Sequence, residues 1–307
     1  MSIGLAAGWL ADALLGDPPR FHPVAGFGRA AEGLERALWR PSRAAGALYV
    51  ATLVVPVTVA VTAVDVALRC RPRARVLLTA AAAWVALGGR SLAREALRLA
   101  DAVEAGDLDG ARGIAPALVG RDPSGLDGPE LCRAAVESVA ENTADAVVGP
   151  LLWGAVAGPG AVVAYRAANT LDAMVGHRND RYERFGWTAA RLDDALTWPA
   201  ARLAALLTVA LAPLARADGR ESWRILRRDG ARHPSPNAGR LEAAFAGALG
   251  VRLGGRNRYG DRIEDRPALG DGSLPDPRAV RGAVRLSRLV GVAAAALCAL
   301  LAWRLGR

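Results

Sequence analysis

The sequence predicts an all-α fold, a polytopic integral membrane protein built of helices, and three observations lead there. Hydrophobic residues make up 52% of the 307 and charged residues 22%, with a mean hydropathy of +0.18. Residues 44–64 carry no charge, enough chain to cross a bilayer as one helix. Elsewhere the apolar residues gather in helix-length runs, and no stretch reads convincingly as a strand. The whole chain, 1–307, is expected to be one membrane domain. Its apolar segments lie near 3–15, 44–64, 76–89, 146–165, 203–215 and 289–303, with a polar section at 216–285.

In order, residues 3–15 form a short apolar helix stopped by Gly16-Asp17-Pro18-Pro19. With no basic n-region and with Asp12 inside it, this reads as a retained helix, not a cleaved signal peptide. The loop 16–24 is stiff, because each proline fixes φ and removes a donor. Residues 26–40 are amphipathic, with Glu32, Glu35 and Arg36 on the wet side. The span 44–64 contains Pro56, a site for a kink. The run 76–89 is short for a span; with Leu92 and Leu97 it continues as an amphipathic helix leaving the bilayer.

Residues 91–119 read as helix, a turn at Gly106-Asp107, then helix. After a turn at 119–130, a helix over 130–145 runs into the uncharged stretch 146–165. The Gly158-Pro159-Gly160 break there calls for a helical hairpin or a re-entrant element in place of one straight span. Residues 188–198 begin another helix, which Pro199 disturbs before the apolar run 203–215. A final apolar helix over 289–303 closes the chain.

The formal net charge is +9, and the chain has no lysine, so all 39 basic residues are arginine. A lysine-dependent phosphate loop and a Schiff base are therefore excluded, and any cationic clamp on phosphate must use guanidinium forks. Codon bias explains most of the missing lysine. The arginines are scattered and belong to no nucleic-acid module, so no nucleic acid is expected. Three isolated cysteines, Cys70, Cys132 and Cys298, argue against a disulfide framework or a zinc site. Arginines flank both sides of several spans and give no clean orientation.

The chemistry-bearing side chains concentrate between 133 and 202. Glu137, Glu141 and Asp145 fall within roughly an 80° arc of one helix face, with Asn142 beside them. Carboxylates so close need a cation or an arginine between them. Magnesium fits, as an oxygen-seeking ion that bridges to phosphate; the alternative is that Arg133 pairs with Glu137 and the others lie on a solvated face. Tyr165, Arg166, Asn169 and Asp172 occupy roughly a 120° arc of the next helix. The loop holding His177, Arg178 and Asn179 either folds over a ligand or is an ordinary polar turn. Arg191, Asp194, Trp198 and Arg202 share a face if the helix survives Pro199, and Asp193 and Asp194 either bind metal or accept arginines. Farther on, His233, Ser235 and Asn237 sit in a proline-stiffened loop. Gly254-Gly255-Arg256-Asn257 offers backbone N–H groups to an anion, a weak signal.

Read together, these stretches resemble one family, the adenosylcobinamide-phosphate synthases (CobD/CbiB). The motifs that carry the resemblance are GDPPRFHPV (16–24), GRSLAREA (89–96), VGRDPSGL (119–126), ESVAENTADAVVGPLLW (137–153), AYRAANTLDAMVGHRNDRYERFGWTAARLDD (164–194), HPSPNAG (233–239) and ALGVRLGG (248–255). They cover most of the chain in the family's order. The sequence departs from the family pattern at Thr197–Arg202, at His177 and at Arg240-Leu241, so Thr197 and Arg202 are given no role.

The resemblance implies an enzyme of cobalamin biosynthesis that uses ATP and Mg²⁺. It joins a carboxylate of a corrinoid, adenosylcobyric acid, to 1-amino-2-propanol or its O-phosphate. Glu137, Glu141, Asp145, Asp172 and Asp194 are the expected catalytic carboxylates, with Glu141 and Asp145 as metal ligands. Asn142, Arg166, Asn169, Arg178, Asn179, Arg191, His233, Ser235 and Asn237 are expected to bind substrate or ATP. The setting it implies is the cytoplasmic membrane, multi-pass, with the site and its helices and loops facing the cytoplasm. Besides the lipid bilayer, the partners would be a second copy of the chain or other corrinoid-pathway membrane enzymes. Two rivals stand beside it: a non-catalytic AmpE-like sensor, and a cobamide binder or transporter with its charges at mid-span.

Overall fold

The computed structural model describes residues 1–18, 22–177, 179–259 and 262–306, with side chains except those of Tyr259 and Arg262. Helices dominate it. In chain order they are α1 (Ser2–Leu15), α2 (Pro23–Leu38), α3 (Arg43–Ala67), α4 (Pro72–Ala86), α5 (Gly89–Glu104), α6 (Leu108–Ile114), α7 (Gly128–Thr143), α8 (Gly149–Ala157), α9 (Pro159–Val175), α10 (Trp187–Leu211), α11 (Gly219–Asp229), α12 (Ala238–Leu249) and α13 (Pro277–Arg304). Four stretches are long and apolar enough to cross a membrane: Arg43–Ala67, Pro72–Glu104, Trp187–Ala215 and Pro277–Arg304. The protein is thus a polytopic helical membrane protein. The span expected at 44–64 is α3, nearly residue for residue. The short run at 76–89 belongs to the longer stretch Pro72–Glu104, whose helix opens at Leu87, where ψ is 159°.

The packing divides into two units. The first comprises Met1–Gly88, Asp145–Pro199 and Ala294–Arg307, and the second Gly89–Ala144 and Ala200–Ala293.

In the first unit, α1 lies against α4. A Cβ on Gly4 would stand 2.7 Å from Thr79 Cβ, and one on Gly8 would stand 2.6 Å from Ala83 Cβ. Small residues four apart let two apolar helices approach closely, which is how helices associate where no hydrophobic drive exists between them. A core of Ala31, Tyr49, Val50, Leu171, Val175, Phe185 and Ala189 joins α2, α3, α9 and the start of α10. The rings of Tyr49 and Phe185 lie 5.0 Å apart within it. As the Gly158-Pro159 break requires, 146–165 is no straight span: α8 and α9 pack on each other as a hairpin. Pro199 does not interrupt α10, contrary to the expectation that it would disturb the helix. The indole N–H of Trp153 donates to the carbonyl of Leu196 at 2.8 Å, so the turn that leads into Pro199 is held from α8.

In the second unit, α7 packs against α5 and α12, and α11 against α12. Helix α7 starts at a capping box: Glu130 N–H donates to Asp127, and Asp127 N–H to the Glu130 side chain. The polar section holds one feature the sequence did not foretell, an antiparallel hairpin of β1 (Leu253–Tyr259) and β2 (Arg262–Leu269). LGGRNRY and RIEDRPAL carry almost none of the alternating apolar residues by which a strand is recognised. Side chains hold the hairpin instead. The fully buried Asp229 of α11 accepts from Arg228, from Arg232 and from the backbone N–H of Gly270 at the hairpin's end.

Replacing Gly8 by valine should force α1 away from α4. We expect a loss of about 1–3 kcal/mol, read as a lower melting temperature of the detergent-solubilised protein; an unchanged melting temperature would contradict this packing.

Candidate active site

Glu137 is the centre of the second unit's polar core. Arg121 Nη2 stands 2.8 Å from its Oε2, and Arg133 Nη1 3.3 Å from its Oε1. The three side chains are almost entirely buried, at 3–7% exposure. The backbone N–H of Gly254 donates to Oε1 at 2.8 Å. Both arginines donate to Asn257 Oδ1, and Arg133 also donates to the carbonyls of Gly254 and Arg256. Gly254 has φ +80°, and an added Cβ would stand 2.2 Å from the Pro267 carbonyl, so only glycine brings its N–H onto this carboxylate. Of the two alternatives for the acid helix, the Arg133–Glu137 pair is present and buried, while Glu141 and Asp145 are half-buried and not on an open face. The anion that the Gly-Gly turn receives is the protein's own Glu137.

One turn on, Glu141 and Asn142 are half-buried. Asn142 Nδ2 donates to the carbonyl of Ser138 at 2.9 Å, and Ser138 Oγ to that of Leu118 at 2.7 Å. In the 233–237 loop, His233 Nδ1 accepts from Ser235 N–H at 3.0 Å. Ser235 Oγ accepts from the N–H groups of Asn237 and Ala238 and so opens α12. Asn237 Oδ1 accepts from Arg202 Nη1 at 2.9 Å, which gives Arg202 a positional part that the sequence reading withheld. Asn237 is buried, while Ser235 is half-buried.

The first unit holds the other candidates. Asp145 lies in a π-helical turn, Ala144–Val148, which shifts its phase from the α-helical arc drawn through Glu137 and Glu141. On α9, Arg166 Nη1 donates to Asn169 Oδ1 at 3.3 Å and Asn169 Nδ2 to Asp193 Oδ1 at 3.3 Å. Tyr165 OH and Thr197 Oγ1 are 3.0 Å apart, so Thr197 too has a part the sequence reading denied it. Arg191 and Asp194 form an ion pair at 3.8 Å. Burial pushes the Asp172 carboxyl up to about 6; His177 opposes the shift and Asp194 adds to it. Asn179 is exposed, and its Oδ1 accepts from Tyr182 N–H at 2.8 Å. Arg178 lies outside the described residues.

Glu35, expected on the wet side of its helix, is instead 8% exposed. It receives Arg181 Nη2 at 2.8 Å and Tyr182 OH at 2.9 Å, while Arg181 lies 4.8 Å over the Trp39 ring. Helix periodicity put Glu35 with Glu32 and Arg36, but only the fold shows that the loop after α9 closes over it.

The structure therefore gathers Glu137, Arg121, Arg133 and Asn257 in one unit, and Arg166, Asn169, Asp193, Arg191 and Asp194 into two short polar chains in the other. Arg121 and Glu242 were not singled out from the sequence. The signal for Glu242 was present: it is the lone acid in the run Leu241–Leu249. Among the described residues, no three His, Cys, Asp or Glu side chains gather closely enough to hold a metal. Magnesium asks for less, taking one or two carboxylates beside phosphate oxygens and water, and the donor types of Glu141 and Asp145 suit it.

The family model described as "CobD/Cbib protein" matches residues 5–287. The chain belongs to the CobD/CbiB family. It is similar to "Cobalamin biosynthesis protein CobD" of Mycobacterium tuberculosis (strain CDC 1551 / Oshkosh), with 52% identity over 99% of this chain and 96% of that protein. The protein of the same name from Geobacter metallireducens is 46% identical over 90% of this chain and 89% of its own. That of Chromobacterium violaceum is 43% identical over 90% and 89%. No solved structure matches the chain significantly.

Two tests follow from the CobD/CbiB polar core. Arg133→Ala should cost about 3–5 kcal/mol, since it leaves a buried carboxylate half matched; denaturant unfolding showing under 1 kcal/mol, on the surface-pair scale, would refute it. Asp172 binds its proton more tightly folded than unfolded, so it favours the folded state below its ordinary 3.8. That contribution is lost as pH rises through about 6. Asp172→Asn should therefore flatten the fall in melting temperature between those values.

Proposed function

We propose that the protein is an enzyme of cobalamin biosynthesis that ligates a carboxylate of adenosylcobyric acid to 1-amino-2-propanol or its O-phosphate, with consumption of ATP. The product is adenosylcobinamide or its phosphate. The observation that carries the reading is the placement of the polar candidates. Glu137, Glu141 and Asn142 lie on α7 and Arg166, Asn169 and Asp172 on α9, neither of them among the four membrane-length stretches, while Arg191 and Asp194 lie in the opening turns of one, Trp187–Ala215, and not at its middle. A transporter would set ionisable groups along its spans, facing a pathway. Family membership supports the same reading, since the curated relatives are named for cobalamin biosynthesis.

In the proposed reaction a carboxylate oxygen of the corrinoid attacks the terminal phosphorus of ATP and ADP leaves. The amine nitrogen then attacks the acyl carbon, the acyl C–O bond breaks, phosphate departs and the amine gives up its proton. Magnesium, held through Glu141 and Asp145, would neutralise triphosphate charge. Arg166 and Arg191, with Arg178, would oppose the charge that develops on phosphoryl oxygens. Asn142, Asn169, Asn179, Ser235 and Asn237 would orient amide and phosphate groups, and Asp194 would take the amine proton. The contacts of Glu137 with Arg121, Arg133 and Gly254 are internal, so we assign it to holding α7 and the hairpin in place. Operation at the cytoplasmic face of the cell membrane, and assembly with a second copy or with other corrinoid enzymes, belong to the same proposal.

The test is purified protein in nanodiscs with ATP, Mg²⁺, adenosylcobyric acid and each amine. Amide product with stoichiometric ADP is expected. Absence of both, with corrinoid crossing sealed vesicles, would establish the transporter instead; absence of all three would leave the sensor. Glu141→Gln and Asp145→Asn should each lower turnover by about 100-fold or more while membrane insertion stays normal, and near-normal rates in both would remove the metal assignment.

A further inference from the structure

Glu242 is a carboxyl with no evident reason to be where it is. It lies on α12 at 1% exposure, and among the described residues neither of its oxygens has a hydrogen-bond partner. A buried carboxyl left unbonded costs on the order of 1–3 kcal/mol, so a fold that keeps one gains something else by it. It faces His233, whose Nε2 stands 3.8 Å from Glu242 Oε1, beyond hydrogen-bond length, and is itself buried without a bond among the described residues. The other ring nitrogen is committed: Nδ1 accepts from the backbone N–H of Ser235. An imidazole that accepts at Nδ1 and is neutral carries its proton on Nε2, the nitrogen that faces Glu242.

From there the bonds continue outward. Ser235 Oγ accepts from Asn237 N–H, and Asn237 Oδ1 accepts from Arg202. The loop is pressed onto α12, since a Cβ on Gly239 would stand 2.3 Å from His233 Cβ.

We propose that Glu242 is a positioning residue: as the carboxyl that faces His233 Nε2–H, it biases the ring tautomer and thereby the 233–237 loop, which presents Ser235 and Asn237 to substrate. Burial supports this. It pushes His233 down to about 4, with Arg266 acting in the same direction, and it pushes Glu242 well up, reinforced by Glu137 and Glu141 on the facing α7 and opposed by Arg266 and Arg121. His233 is therefore a neutral imidazole at neutral pH, and Glu242 is shifted towards its protonated form, for which an amide is the closest replacement.

This sets the role apart from acid–base catalysis. Glu242→Gln keeps an acceptor and should hold turnover and KM within about threefold of the parent. Glu242→Leu removes both the acceptor and the unbonded carboxyl. It should melt no lower than the parent, yet raise KM for one substrate about tenfold or more. An inactive Glu242→Gln would make Glu242 an ionising catalyst and overturn the proposal, as would a Glu242→Leu with unchanged KM.

The inference rests on the ligation reading for its kinetic arm only. The chain has 3 histidines, so ¹⁵N-histidine NMR of the detergent-solubilised protein, with His22 and His177 variants for assignment, reads His233 directly. The Nε2–H tautomer is expected in the parent, and a mixture in Glu242→Leu. An Nδ1–H tautomer in the parent, or the same spectrum in both, would sink the proposal whatever reaction the protein performs.

Discussion

The second unit is assembled around the cost of taking one carboxylate out of water. Glu137 points from a helix buried along its whole middle and is itself only 5% exposed. Two guanidiniums and a backbone N–H meet that cost, and each comes from a different place: Arg121 from the loop before α7, Arg133 from one turn earlier on α7, and Gly254 from the bulged start of β1. The ion triad thus does what apolar packing does elsewhere, with the geometric demands of hydrogen bonds added. Such a triad is not favoured because it is strong. An apolar substitute of equal volume is often as stable. What it provides is register, because a hairpin with so few apolar residues could slide along α7 at little cost unless a specific N–H had to find a specific oxygen.

The same condition explains which parts of the fold were legible in the sequence. Residues 44–64 could be read because a charge-free stretch of that length has few alternatives. The Gly158-Pro159 break could be read because glycine and proline act locally. Both predictions depend on the chain near the residue concerned. Pro199 was misjudged for the opposite reason. The turn that leads into it is held at the Leu196 carbonyl by Trp153, more than forty residues away in the chain, and local propensity carries no word of that partner. The hairpin was invisible because its stability lies in Asp229, Glu137 and Asn257 and not in its own pattern.

The candidate site divides along the same line. Residue types and order were enough to name Glu137, Glu141, Asn142, Arg166, Asn169, Asp194 and Asn237, because these stretches match a family motif by motif. They were not enough to separate residues that face outward from those whose atoms are already committed. Glu137 and Glu141 stand one turn apart on one helix, yet the first has its oxygens filled from three sides while the second is half-buried. Glu35 shows the reverse error, a residue given to solvent by periodicity and claimed by Arg181 and Tyr182 in the fold.

Buried polar groups in this protein therefore fall into two kinds, and the difference bears on function. Glu137 and Asp229 are saturated with donors, as expected of groups that hold elements together. Glu242 and His233 are not saturated, although they lie equally deep. A fold that answers one buried carboxylate with two arginines and a backbone amide has the means to answer another. That it leaves Glu242 without a hydrogen bond among the described residues, facing an imidazole 3.8 Å away, argues that this carboxyl is lightly held. A group in that condition can adjust by a fraction of an ångström as the loop above it takes up a ligand, whereas a triad like that of Glu137 would lock the loop in one position.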